Sequence, residues 1–218
     1  MRPQSGNVLL YVLIAILLLA GLTVMLMRSG GENGAGGRLT DDRAALRAGE
    51  LIDYATAARS TVEQMRTLQN VLPTEFSFVK PGDAAYGTGT NTAKVFHPAG
   101  GGLNIFTDSP ELFATTSSTR GWVSQQGTNV QWTPSTGSDI LYTFVDLPEK
   151  ICQAINDRLY KDKTVPTMTI TAAEAFINGG SDDVDLTSTN CAGCNGKVSM
   201  CVKDSAGAYA FYNVVLSR

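Results

Sequence analysis

The stretch Val8–Met27, VLLYVLIAILLLAGLTVMLM, carries no charged residue. At about 1.5 Å rise per residue, a helix of about 20 residues runs about 30 Å, the thickness of a bilayer's hydrocarbon core. A helix apolar on every side has no polar face to turn to water, so its place is in lipid or among copies of itself. The rest of the chain is polar enough for a water-soluble domain hung from that helix. The 218 residues accordingly divide into a leader (1–6), a transmembrane helix (7–28), a Gly-rich linker (29–39) and a domain (40–218).

Charge narrows the function classes. The formal net charge is -3, and no basic patch of the kind that tracks nucleic acid is present, so nucleic acid is not expected as a partner. Charged residues make up 17% of the chain and there is one histidine, His97, which leaves little material for acid–base chemistry. No Ser/His/Asp set, paired-carboxylate site or nucleotide loop stands out, so neither an enzyme nor a cofactor is expected. Arg2 and Arg28 flank the apolar run and give no orientation bias. The short N-terminal tail and the cysteines favour a domain outside the cytoplasm. A cleaved secretory signal is disfavoured, because the apolar core exceeds the usual ~7–15 residues and no small-x-small site comes directly after it.

Ser29–Gly37 holds five glycines and no apolar anchor, and reads as a flexible hinge. Thr40–Val71 reads as a helix: Thr40 can cap it, and Asp41 and Asp42 suit its positive end. Leu51, Ala55, Ala58, Val62, Met65 and Leu72 form one apolar stripe, and Pro73 ends the helix. From Glu75 to Thr143 the chain is rich in Gly, Thr, Ser and Asn. Short β-prone runs are expected at Lys94–Phe96, Leu103–Phe106, Trp122–Ser124, Val130–Thr133 and Ile140–Phe144. Within it, His97 lacks co-ligands, and Gly100–Gly102 lack the Lys and following helix of a phosphate loop. The reading is a strand end and hairpin turn.

Asp146–Lys161 reads as a second helix with Asp146 as N-cap, and with Ile151, Cys152, Ile155 and Leu159 turned inward. Val165–Ile170 reads as a strand, Thr171–Asn178 as a helical turn, and Lys197–Lys203 and Ala208–Leu216 as two strands. Both faces of the last strand are apolar, so it is expected at the centre of a sheet and against the first helix. Asp182, Asp183 and Asp185 cluster in one loop as a candidate Ca²⁺ site. Their spacing does not match an EF-hand, and a solvated acidic turn is the preferred reading. Cys191-Ala-Gly-Cys194 admits a thioredoxin-type site, a Cys₄ zinc site or structural disulfides, and the last is preferred. The favoured pairing is Cys152–Cys201 with Cys191–Cys194. Joining Cys152 to Cys191 or Cys194 remains open.

The leader MRPQSG, the apolar run NVLLYVLIAILLLAGL and the domain after it together resemble the type IV pilins and pseudopilins. VFHPAGGG, LPEKICQAIN and FYNVVLSR add a similarity to pilin-like membrane proteins of alphaproteobacteria. The resemblance implies an α+β fold: an N-terminal transmembrane helix, an amphipathic helix packed on an antiparallel β-sheet, and a disulfide-stapled C-terminal region. It also implies cleavage by a prepilin peptidase between Gly6 and Asn7. Val8, Leu9, Leu10, Tyr11, Val12, Leu13 and Ile14 would open the membrane and assembly helix. Tyr11 stands where pilins carry glutamate. The function implied is that of a structural filament subunit in the bacterial inner membrane, meeting copies of itself or other pilin-like subunits. The alternative is a single-pass, membrane-anchored periplasmic binding module that forms no filament, with its candidate surfaces at Gly82–Thr92 and Thr115–Gly127.

Overall fold

Helix α1 (Asp41–Gln69) sets the layout of the larger of two units, residues 41–218. A computed structural model describes residues 12–19, 40–115, 120–177 and 183–218 of the chain. Over its 29 residues α1 runs about 44 Å. Its buried stripe is made of small residues in the first half (Ala44, Ala48, Gly49) and larger ones further on (Leu51, Val62, Met65). The helix stops at Asn70, whose left-handed backbone (φ 53°) turns the chain so that the Val71 N–H donates to the Met65 carbonyl. This happens before Pro73, and Leu72, expected on the stripe, stands 59% exposed.

The sheet is antiparallel throughout, in the order β1-β2-β4-β3: β1 (Gly121–Gln125), β2 (Ile140–Leu147), β3 (Ser199–Lys203) and β4 (Tyr209–Leu216). β4 lies at its centre and meets α1, as its two apolar faces imply; Asn213 Nδ2 donates to the Ala55 carbonyl. Helix α2 (Glu149–Tyr160) lies beside α1 and over β3. The two helices approach closely because α1 is small there: a Cβ on Gly49 would stand 2.7 Å from the Arg158 guanidinium. Lys150 closes the far end on Asp41 at 3.0 Å.

The opposite face of the sheet carries a second core of Leu141, Val145, Met200, Val202, Tyr212 and Val214. Short helix α3 (Ala172–Phe176) covers it, started by a capping box between Thr171 and Glu174. Phe176 stacks on Tyr212 at 5.6 Å. Cys191 and Cys194 are bonded and buried in this layer, with a 3-10 turn at Ala192–Cys194. Cys152 and Cys201 are bonded across the other face, tying α2 to β3, with Cα atoms 5.3 Å apart. The α+β class, the antiparallel sheet and both cysteine pairs are thus present.

Several local expectations fail. Lys94–Phe96 and Leu103–Phe106 form no strand. Their ends do meet, through Gly101 N–H to Lys94 O and Leu103 N–H to Val95 O, around the His97–Gly102 turn. That turn lies tight on α1: a Cβ on Gly101 would stand 2.5 Å from both Thr61 Cγ2 and the Val95 carbonyl. Val130–Thr133 is a turn with one bridge from Val130 to Leu186, and Val165–Ile170 contributes one bridge, Thr167 to Lys203. Asp146 is not a helix cap. It sits in β2 with φ 69°, and its carboxylate accepts from the Thr115 hydroxyl and N–H. Pro148 holds the N-cap position instead.

In the smaller unit, residues 12–19 are helical, and Val12, Leu13 and Ile14 expose their apolar side chains there. Among the described residues no helix is long and apolar enough to cross a membrane. The expected span rests on a run whose other parts, residues 8–11 and 20–27, lie outside the described residues. So do Gly6, Asn7, Val8, Leu9, Leu10, Tyr11 and the linker 29–39.

Asp139, at the entry to β2, is fully buried. Burial holds its carboxyl above the ordinary range, against the opposing pull of donors from Val130 N–H, the Thr133 hydroxyl and Arg218 N–H. The folded chain then keeps this proton at pH values where the unfolded chain has lost it. The stability so contributed is present below the unfolded pKa of 3.8 and is lost as pH rises through the folded value. Denaturation curves from about pH 3 to about pH 7 should show wild type losing stability relative to Asp139→Asn as pH climbs through this window. A difference that stays constant with pH would rule Asp139 out as the source.

Candidate functional site

The residues singled out in the sequence do not converge. Cys191 and Cys194 are 1% and 0% exposed, so they offer no surface thiol for exchange with a substrate. Asp182 lies outside the described residues. Asp183 accepts from Gln125 Nε2 at 2.6 Å and Asp185 from the Asn129 N–H at 2.8 Å, so the two carboxylates tie their loop to the end of β1 and to the segment after it. Among the described residues no group of three metal-ligating side chains forms. His97 Nδ1 accepts from the Ala99 N–H, a bond internal to its turn.

The loop Gly82–Thr92 is held from within. Lys94 is 2% exposed and its Nζ donates to the Tyr86 carbonyl at 2.6 Å and to Asn91 Oδ1 at 2.8 Å. Buried ammonium groups need such partners. A hollow of about 370 Å³ lies over this loop, with Glu75, Ser77, Thr88 and Thr90 on its walls. From Thr115–Gly127, residues 116–119 lie outside the described residues.

A second cleft, of about 300 Å³, opens where the Gly82–Thr92 loop meets β1 and β2. Pro81, Ile105 and Phe106 line it, beside Trp122 and Tyr142, which are almost fully buried. These come from four separate parts of the chain, and aromatic packing brings them together. Trp122 stacks on Tyr142 with centroids 4.6 Å apart, and Tyr54 of α1 packs against Phe106 at 5.0 Å. Tyr54 also fixes the wall through its hydroxyl, which donates to the Asn104 carbonyl and accepts from the Phe106 N–H. Burial raises the Tyr54 pKa, so this hydroxyl keeps its proton.

Lys80, Asp83 and Asp108 supply the polar groups of the cleft. Lys80 Nζ donates to the Trp122 carbonyl at 3.1 Å, and Asp83 Oδ2 accepts from the Lys80 N–H at 2.8 Å. Partial burial pushes the Asp108 carboxyl up, with Lys80 and Arg120 pulling it back. The indole N–H of Trp122 is buried and has no hydrogen-bond partner among the described residues. Gly/Thr-rich composition pointed to the loops at Gly82–Thr92 and Thr115–Gly127 but not to Asp108 or Tyr142, which only the fold brings beside them.

The fold therefore defines an α+β head with both sheet faces covered and a cleft beside the aromatic cluster at the β1–β2 end. No protein-family model matches the chain, and neither does any curated protein or any solved structure.

Proposed function

We propose that the chain is a structural subunit of a type IV pilin-like filament or pseudopilus. Before assembly it is held in the bacterial inner membrane by Val8–Met27, with its head in the periplasm or on the cell surface. The observation that carries this reading is the order of parts: an uncharged apolar run ahead of a head in which a 29-residue helix lies against an antiparallel sheet. The apolar helix packs against copies of itself or of other pilin-like subunits, and the head supplies the exposed surface. Tyr11 is neutral at pH 7, so it provides no charge to pair with a neighbouring N-terminal amine. Assembly by this chain is then of a kind that does not need that pair, as for a tip or initiating subunit.

The reading is tested at the N-terminus. In cells that make a prepilin peptidase, the mature chain should begin at Asn7. The cleft at Trp122 favours a second reading, a membrane-anchored binding module, in which the same head recognises a ligand and Gly6→Ala leaves localisation and function unchanged.

A further inference from the structure

We propose that Asn195 is a site of spontaneous covalent modification, at which the folded head converts its own asparagine to aspartate and isoaspartate. The proposal concerns one exposed turn of a single copy, so it stands apart from whether the N-terminal run assembles.

The reaction needs a main-chain nitrogen that can reach the asparagine side chain. Asn195 is exposed, and its side chain makes no hydrogen bond among the described residues. The next residue is Gly196, whose N–H is also unpaired among them and whose nitrogen has no side chain beside it. Asn70, Asn91, Asn104, Asn129 and Asn213 are each followed by a residue branched at Cβ, which crowds that nitrogen. The side-chain amides of the other two are held, Asn156 by Cys201 and Thr164, and Asn190 by Asp185 and Thr187. Asn195 is the one asparagine before glycine among the described residues.

The turn supplies the motion. Asn195 has φ -52° and ψ 128°, Gly196 has φ 74°, and the Lys197 N–H donates to the Cys194 carbonyl at 2.9 Å, which together define a type II turn. No hydrogen bond holds the peptide between Asn195 and Gly196, so it is free to flip to the type I form, and glycine accepts the backbone angles of both. In one sense of that flip the Gly196 nitrogen swings past the Asn195 Cβ and meets the side-chain carbonyl carbon. The ends of the turn stay in place meanwhile. Cys194 is bonded to Cys191, and the Lys197 carbonyl accepts from Trp132 Nε1 and the Tyr212 hydroxyl, both at 2.7 Å.

Water is the only co-reactant. The Gly196 nitrogen gives up its proton and bonds to Asn195 Cγ, and the side-chain amide leaves as ammonia, which closes a succinimide ring. A water molecule then opens the ring at either carbonyl. Opening at Cγ leaves aspartate. Opening at the main-chain carbonyl leaves isoaspartate, with the chain routed through the side chain and lengthened by a methylene. Either product adds a negative charge to the turn before Lys197.

The experiment incubates the full-length, oxidised protein in detergent, in mildly alkaline buffer made with heavy-oxygen water. Digestion and peptide mass spectrometry follow, with fragmentation that separates aspartate from isoaspartate. A capped free peptide of residues 195–200 sets the timescale. Asn33 and Asn178, also before glycine, lie outside the described residues and are scored apart. The expected result is that Asn195 converts before any other described asparagine, takes up heavy oxygen, and gives both products. Gly196→Ala should slow it about tenfold, because the added Cβ crowds the attacking nitrogen; its urea midpoint shows whether that variant folds. Asn195 still intact long after the free peptide is spent would overturn the proposal. So would aspartate as the sole product, or a folded Gly196→Ala variant that converts as fast as wild type.

Discussion

Replacing Cys152 and Cys201 together by alanine should lower the head's stability by about 4 kcal/mol. The bond joins residues 49 apart in sequence, and closing a loop of that length removes a large share of the unfolded chain's freedom. Both residues are fully buried, so their replacement also leaves a defect between α2 and β3 that water does not fill. Cys191 and Cys194 are 3 apart, and the same relation gives about 2 kcal/mol for their loop. Urea denaturation of the two double variants, each against oxidised wild type, separates them. The Cys152/Cys201 variant should unfold at clearly lower urea. Equal midpoints would mean that loop closure is not what these bonds contribute.

The second large effect is at Asn156. β3 is an edge strand, and an open edge exposes unpaired backbone groups that invite pairing with another chain. Here the edge is closed by a side chain. Asn156 Oδ1 accepts from the Cys201 N–H at 2.9 Å, while Nδ2 donates to the carbonyls of Cys201 at 2.8 Å and Thr164 at 2.9 Å. Two residues along the same edge, the Lys203 N–H donates to the Pro166 carbonyl and its carbonyl accepts from the Met168 N–H. Asn156→Ala strips the partners from three backbone groups at a fully buried position. The expected loss is about 3 kcal/mol, read from the same urea curves, with a rise in self-association from the bared edge. A loss below about 1 kcal/mol would show that water takes over these bonds. Asn156 lies four residues after Cys152 on the same helix, so the two losses should not add.

How much of this was legible depended on how local the cause was. Helix α1 could be read because its Ala, Leu, Val and Met recur every three or four residues. β4 could be read as central because both of its faces are apolar. The Cys152–Cys201 pairing followed from an inward cysteine on a helix and another in a strand. By contrast, Asp146 looked like a helix cap because a proline and an acid come soon after it. Its carboxylate is instead taken by Thr115, about thirty positions back, and no local pattern announces that. The segment from Phe76 to Ala114 is ordered from within by buried Lys94, and non-locally by Tyr54 on α1 and a ring of aromatic contacts. Its runs of β-prone residues are too short and too interrupted by Gly and Pro to pair with one another. Asn156 did leave one trace, an asparagine in step with Cys152 on the buried face of α2.

The cleft was the least legible feature, since Lys80, Ile105, Asp108, Trp122 and Tyr142 are spread over more than sixty positions. The head's architecture and its cleft are independent of the role of Val8–Met27. The filament reading turns on that run and on the residues before it.

The mature N-terminus tests that reading most directly. Intact-mass measurement on the chain recovered from membranes, with and without a prepilin peptidase in the same cells, reads it in one step. The filament reading expects the mass of a chain starting at Asn7 when the peptidase is present and at Met1 when it is absent. A chain that keeps Met1 in cells with active peptidase would contradict it and leave the anchored binding module as the better description of the head.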